Sequence, residues 1–337
     1  MPSPKSIPIR DPKYKPTNII KQSKEQGRHV TIAGPMVRYS KLPFRELCRF
    51  YNLDIVYTPM ILAREFVRND IARYSDFTTN DKDKSVIVQC GVNSVSDFMK
   101  FIEMINPFVD GIGINCGCPI RDQIKEGIGA ALMSKPKLVA EMISTAKAKY
   151  GDSVCIDTKI RIHNDINETI EFVKMVEQAG SDMITIHGRT KNTRSSTPVD
   201  LDAIKTLRKH INIPVIANGD CFTKKDFDRI VDYAKVDGVM SARGILANPA
   251  LFTGLDKTPW SAVEMFMHLV TCYGLPFGLS QHHITQLLEN VIPKSYIRQI
   301  NELKNMIELI DYLDEHFILK RKGEDGFATA VEPQWRQ

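Results

Sequence analysis

The sequence predicts an α/β fold, a (β/α)8 TIM barrel followed by a small helical domain, and three observations carry that expectation. Beginning at Val30, short β-branched runs alternate with longer stretches of helical periodicity, which is how parallel βαβ units read. Eight such runs occur before residue 241, the number a closed barrel needs. After Leu255 the alternation stops and the periodicity is purely helical.

Taken in order, the strands are expected at 30–33, 55–57, 86–89, 111–114, 155–160, 183–187, 214–217 and 238–240. Helices are expected between them at 43–51, 95–105, 136–149, 166–178, 201–209 and 224–233. A doubly wound open sheet is the competing arrangement, but its dinucleotide fingerprint is missing. Gly111 and Gly113 are followed by Cys116 where a third glycine is required, and no Gly-Lys dipeptide exists to build a Walker A loop. Beyond the barrel, Thr258 before Pro259 reads as an N-cap with proline at the first helical position. Ile284, Leu287, Leu288 and Val291 mark one helix face, and Pro293 is expected to end that helix. A stripe at Ile297, Ile300, Leu303, Ile307 and Ile310 is expected to continue it. The chain thus divides into an arm at 1–28, a barrel at 29–256 and a helical domain at 257–337.

Length and composition agree: 337 residues with 43% apolar and 25% charged side chains can bury a large core, which excludes global disorder. Apolar stretches are broken within a few residues by charge, His or Pro, so neither membrane insertion nor secretion is expected. Seven cysteines without regular spacing describe no disulfide framework and favour a reducing compartment, cytoplasm or nucleus. The pair Cys116 and Cys118 is one residue short of zinc-knuckle spacing, so no metal is expected.

Net charge is +5, and residues 1–28 hold all of that excess, with seven basic against two acidic residues and five prolines. A composition of this kind resists regular structure. Two readings stand: a solvated tail, or a flexible arm that contacts phosphates.

In such a barrel the carboxyl ends of the strands build the site. Seven of the eight ends carry unusual groups: Gly34-Pro35-Met36, Gln89, Asn115 to Pro119, Lys159 with Arg161, His187-Gly188-Arg189, Asn218-Gly219-Asp220 and Ala242-Arg243-Gly244. Any one of them is ordinary as a turn or a satisfied polar group. The loops after strands seven and eight supply glycines, amide donors and one guanidinium, which suits a phosphorylated ligand such as flavin mononucleotide (FMN). Asp220 fits there if it takes a ribityl hydroxyl. Lys159 is either a cation beside a reduced flavin or a strand-end lysine reaching for water. Cys118 sits in a Gly-rich loop, where a nucleophile or a proton donor is favoured over a structural thiol.

These residues, taken together, resemble the tRNA dihydrouridine synthases, flavoenzymes that reduce uridine in transfer RNA. The similarity runs from residue 32 to 252. It includes Ala33-Gly34-Pro35-Met36-Val37, Pro43-Phe44-Arg45, Tyr57-Thr58-Pro59-Met60, Asn115-Cys116-Gly117-Cys118-Pro119, Lys159-Ile160-Arg161, His187-Gly188-Arg189-Thr190 and Ala217-Asn218-Gly219-Asp220. The resemblance implies Cys118 as the proton donor and Asn115 as a contact to the target uracil. It implies FMN contacts at Pro35, Met36, Val37, Gln89, Lys159, His187, Asn218, Gly219, Asp220, Ala242 and Arg243, with NADPH or NADH as reductant. It further implies a C-terminal domain that helps hold tRNA. Arg161, Arg189, Lys294 and Arg298 are the expected substrate contacts, although residues 257–337 carry eight basic and ten acidic groups, so only a patch can serve. The segment 191–198 replaces an aromatic-containing loop of many bacterial members, and Cys116 stands where others have a larger apolar residue. Both features look most like the eukaryotic subgroup acting on D-loop uridines 20a and 20b.

The implied reaction adds hydride at uracil C6 and a proton at C5. Two rivals are a flavin oxidoreductase for a small soluble substrate and a non-catalytic RNA-binding barrel; bound yellow flavin separates the second from both enzymes.

Overall fold

A computed structural model describes residues 10–336. Eight parallel strands, β1 (Val30–Ala33), β2 (Ile55–Leu62), β3 (Val86–Gly91), β4 (Gly111–Cys116), β5 (Ile156–Arg161), β6 (Met183–His187), β7 (Val215–Asn218) and β8 (Gly238–Ser241), pair in chain order and close on themselves. The expected barrel is present, with every strand within a residue of where the sequence starts it and four of the eight a residue or more longer. The register sets neighbouring strand ends side by side: Asn115 beside Lys159, Arg161 beside His187, and His187 beside Asn218.

Two apolar layers hold the barrel. One lies between the strands and the surrounding helices, and the other fills the barrel from Val30, Ile32, Ile55, Ile87, Met183, Ile216 and Met240. Tyr57 belongs to the inner layer, and Gly113 makes room for it, since a Cβ there would lie 3.2 Å from the Tyr57 ring. The Tyr57 hydroxyl donates to Asp157 Oδ2 at 2.8 Å and Thr185 Oγ1 donates to Asp157 Oδ1 at 3.0 Å. This buried polar layer lies one inward-facing residue below Lys159 on β5.

The N-terminal segment differs from the expected unstructured arm. Of that arm, residues 1–9 lie outside the described residues. Beyond them Pro12–Tyr14 form a 3-10 turn and Pro16–Glu25 a helix. Pro12 and Pro16 fall at helix starts, where the missing N–H costs nothing. Ile20, 3% exposed, joins the inner layer and closes the bottom of the barrel. Arg10 pairs with Asp110 ahead of β4, and Lys15 Nζ donates to the Asp152 carbonyl ahead of β5 at 2.9 Å. These residues therefore sit at the end of the barrel opposite the strand carboxyl ends, and Ile20 spends its apolar side chain on the fold.

The C-terminal region contains helices Trp260–Tyr273, Phe277–Leu288, Lys294–Glu302 and Met306–His316. Three local expectations are corrected. Pro259, not Thr258, occupies the cap position, because the Thr258 hydroxyl is bonded to the Ala247 carbonyl. The helix before Pro293 ends at Leu288, and Pro293 instead caps the next one. The stripe from Ile297 to Ile310 is broken by a turn in which Asn305 Oδ1 accepts the Glu308 N–H at 3.0 Å, leaving Ile307 71% exposed. The region is docked on the barrel. Tyr51 and Ser261 share a hydroxyl–hydroxyl bond of 2.8 Å, and Tyr39 is bonded to both His282 and His283. No helix among the described residues is long and apolar enough to cross a membrane.

Candidate active site

The carboxyl ends of the strands bring nearly every expected residue to one mouth. On the β7 and β8 side a cleft of about 230 Å³ is lined by His187, Asn218, Gly219, Asp220, Ala242 and Arg243. Gly219 has φ of +125°, and a Cβ on it would press within 2.8 Å of Val199, so glycine is required there. Lys159 Nζ donates to Asn218 Oδ1 at 2.9 Å, and Asn218 Nδ2 donates to the Met240 carbonyl at 3.0 Å. A lysine reaching for water would not be bonded inside the mouth in this way. Burial lowers its pKa to about 8, against an upward pull from Asp157. Burial in turn raises Asp157 to about 6, opposed by the Tyr57 and Thr185 hydroxyls and by Lys159.

His187 is held neutral. Burial, and then the cations Lys159, Arg161, Arg189 and Arg243, drive its pKa down to about 2. Arg189 has no lone pair, so its NH1 must donate to His187 Nε2 (3.1 Å), which leaves the ring proton on Nδ1. The histidine therefore offers one N–H donor and no charge.

Arg189 departs from its expected role as a substrate contact. It is 2% exposed, and its guanidinium is fully engaged by His187, Asp220 Oδ2 (2.5 Å) and the carbonyls of Ser195 and Thr197. Arg161 is likewise occupied, donating to the Gly117 carbonyl at 2.9 Å and the Thr190 carbonyl at 2.8 Å. Both arginines brace loops. Asp220 Oδ2 also accepts the Val199 N–H, and Oδ1 lies 3.3 Å from Arg243 NH2, so Asp220 is a neutralised bracket with little left for a ribityl hydroxyl. That removes its conflict with a phosphate in the same cleft.

The other side of the mouth carries the thiol. Asn115 Oδ1 accepts the backbone N–H groups of Gly117 and Cys118, and its Nδ2 donates to Gln89 Oε1 at 2.9 Å. Gly129, at φ +62°, lets the chain return past Cys118, whose carbonyl accepts the Ala130 N–H at 2.9 Å; a Cβ at 129 would lie 2.7 Å from that carbonyl. Cys118 is half-buried, whereas Cys116 is fully buried and its thiol is pushed far upward by burial. Only Cys118 suits proton transfer in the mouth. Gln89 Nε2 is buried without a protein acceptor, an unmet donor that calls for a ligand.

Pro35, Met36 and Val37 follow β1, in a loop where Ser40 Oγ accepts the Met36 N–H and donates to the Gly34 carbonyl. Lys294 and Arg298 are not in the lining of the cleft; they stand on an exposed helix face, unpaired with any acid among the described residues. Sequence reasoning missed Asp157, although its spacing of two from Lys159 and four from Arg161 announces a shared inward face. It also missed the contact of Tyr39 with His282 and His283, which forms only through the tertiary fold.

Unmet amide donor, cationic cleft and facing thiol define a (β/α)8 barrel whose mouth suits an anionic, hydrogen-bonding ligand beside a half-buried thiol. The family model "Dihydrouridine synthase (Dus)" matches residues 31–336, and the chain belongs to that family. It is 55% identical to the tRNA-dihydrouridine(20a/20b) synthase [NAD(P)+] of Saccharomyces cerevisiae, over 94% of this chain and 88% of that one. It is 46% identical to the protein of the same name from Schizosaccharomyces pombe, over 96% and 99% of the two chains. A human relative, tRNA-dihydrouridine(20a/20b) synthase [NAD(P)+]-like, is 40% identical over 86% of this chain and 92% of its own.

Proposed function

We propose that the protein reduces D-loop uridines 20a and 20b of tRNA to dihydrouridine, with NADPH or NADH as electron donor and FMN as resident cofactor. The observation that carries this reading is the pairing, on one barrel mouth, of the half-buried Cys118 thiol with the cationic cleft and the unmet Gln89 donor. Near-full-length relatives named for the same two positions supply the substrate.

The residues fit FMN. The Gly219 and Arg243 loops would hold its phosphate, Lys159 and His187 Nδ1–H would offer it donors, and Gln89 Nε2 would find in it the acceptor that the protein lacks. Bound FMN, once reduced, supplies the hydride that goes to uracil C6. The uracil C5–C6 bond is polarised by the C4 carbonyl, so charge builds at C5, and Cys118 Sγ–H delivers the proton there. Asn115 holds the Cys118 loop in place for that transfer. The base must leave its stack to enter the mouth, which costs a few kcal/mol and least in a flexible loop. Residues 29–256 carry this chemistry, and residues 257–337, through Lys294 and Arg298, help hold the tRNA. Seven free cysteines suit a reducing compartment, cytoplasm or nucleus.

Purified protein should be yellow and, with NADPH and unmodified tRNA, should form dihydrouridine mapping to 20a and 20b. A colourless protein, or coloured protein that leaves tRNA unmodified, contradicts the reading.

A further inference from the structure

Among the described residues, Asp157 is the only acid on any of the eight strands, and the chemistry above does not use it. It is 1% exposed, in an interior otherwise filled largely by aliphatic side chains such as Ile32, Ile87 and Met240. Packing alone would place another apolar residue there, because a buried carboxylate is costly unless it is bonded and paired. The layer is built around it. Tyr57 reaches it from β2 and Thr185 from β6, one hydroxyl on each carboxylate oxygen, at 2.8 and 3.0 Å. Gly113, its register neighbour on β4, leaves the space Tyr57 needs: a Cβ there would lie 3.2 Å from the Tyr57 ring and 3.7 Å from Asp157 Oδ2. Both donors are neutral, so they favour the carboxylate without cancelling its charge.

The remaining titratable groups around this layer are the buried thiols of Cys116 on β4 and Cys155 just before β5, which burial drives upward and keeps uncharged. Lys159 is the next inward-facing residue on β5, and its ammonium donates to a neutral acceptor, Asn218 Oδ1 on β7. Its neighbour on β6, His187, is neutral. Arg161 pulls the Lys159 pKa down, while Asp157, and after it the Cys118 thiol, pull it up. Asp220, the acid of the cleft, is taken by Arg189 and Arg243. Asp157 is therefore the countercharge left to Lys159.

We propose that Asp157 is a positioning residue of the cofactor site: held as a carboxylate by Tyr57 and Thr185, it keeps Lys159 charged at neutral pH for the anionic ligand bound above it. The inference rests on the proposed function, in which that ligand is FMN. Burial sets Asp157 at about 6 and Lys159 at about 8, so between those values both groups are charged and each supports the other. A neutral residue at 157 removes the upward pull, and Lys159 then gives up its proton at a lower pH.

The test is the FMN Kd, from fluorescence titration of FMN-free protein across about pH 6 to 9, in wild type, Asp157→Asn, Lys159→Met and the double variant. Asparagine keeps the shape of Asp157, and the Tyr57 and Thr185 hydroxyls can turn to accept as well as donate, so the layer stays bonded. Wild-type binding should begin to weaken as pH passes about 8. Binding by Asp157→Asn should begin to weaken about one unit lower, the order of shift expected for one charge removed. The two proteins should bind alike near pH 6 and differ about threefold near pH 7.5. Lys159→Met should show no such step, and adding Asp157→Asn to it should change nothing further. Tyr57→Phe takes one donor from the carboxylate, raises its proton affinity and should move the step the same way by less, which keeps the test open if Asp157→Asn does not fold. A step at the wild-type position, weakening by one factor at every pH, or an Asp157→Asn effect that persists beside Lys159→Met overturns the inference while leaving the proposed function standing. Wild-type protein that binds no FMN at any pH overturns the proposed function, and this inference with it.

Discussion

Asn115 and Cys118 are joined through a single side-chain oxygen: Asn115 Oδ1 accepts the Cys118 N–H at 2.9 Å and the Gly117 N–H at 3.0 Å. The residue thus fixes the loop that carries the Cys118 thiol and, through Nδ2, the orientation of Gln89. Asn115→Ala leaves those two donors unmet at a cost of about 1–3 kcal/mol each where they are buried. A lower urea midpoint should accompany a fall in kcat for dihydrouridine formation larger than the change in flavin content. Full kcat in that variant would remove Asn115 from the positioning of the thiol.

Lys159 gives the site a pH dependence. Burial lowers its pKa to about 8, below the ordinary 10.5. Between those values the unfolded chain binds the extra proton, so this residue makes the stability of the cofactor-free protein rise with pH from about 8 to about 10.5. FMN binding should run the other way, weakening as pH climbs through about 8 and the ammonium charge is lost. Fluorescence titration of FMN should show that trend in the wild type and not in Lys159→Met. Arg243→Ala should raise the FMN Kd at every pH, by about 10- to 100-fold for one charged contact.

The amino-terminal helix makes a different prediction from the one its charge suggests. Ile20 closes the inner core, so Ile20→Ala should cost about 2–5 kcal/mol. Its tRNA affinity, measured where the variant is folded, should keep the wild-type salt dependence. A stable variant would mean that this helix does not close the barrel.

Lys294 and Arg298 lie four apart on an exposed helix face. Reversing both charges should weaken tRNA binding and reduce the slope of log K against log salt by roughly 0.7–0.9 per lost phosphate contact. Flavin reduction by NADPH should be unaltered. An unchanged slope would move the tRNA surface to exposed rim residues, and not to Arg161 or Arg189, which are committed to the loops.

The barrel was legible because its signal is local: β-branched runs ended by polar residues recur with the period of a βα unit, and the strand ends fall at one face by topology alone. Cys118, Lys159 and Asn218 could therefore be placed at the barrel mouth from sequence. The bonds that engage Arg189 and Asp220 could not be read there, because a guanidinium bound by four partners looks in sequence like a free one. The fate of residues 10–28 was hidden for a related reason. Charge and proline content describe a segment's average, whereas a few particular contacts, Ile20 in the inner core and Arg10 on Asp110, decide where the helix docks. Tyr39 with His283 depends on a separation of 244 residues, beyond any periodicity.

The role of Cys118 admits the most direct measurement. Wild-type and Cys118→Ala proteins are reduced with NADPH without oxygen and mixed with unmodified tRNA, and flavin reoxidation is followed in a single turnover. Both should bind flavin and accept electrons equally. In the variant, reoxidation by tRNA should slow by about 10²–10⁴-fold, the usual contribution of a general acid. Reoxidation at the wild-type rate, with dihydrouridine formed, would contradict the account.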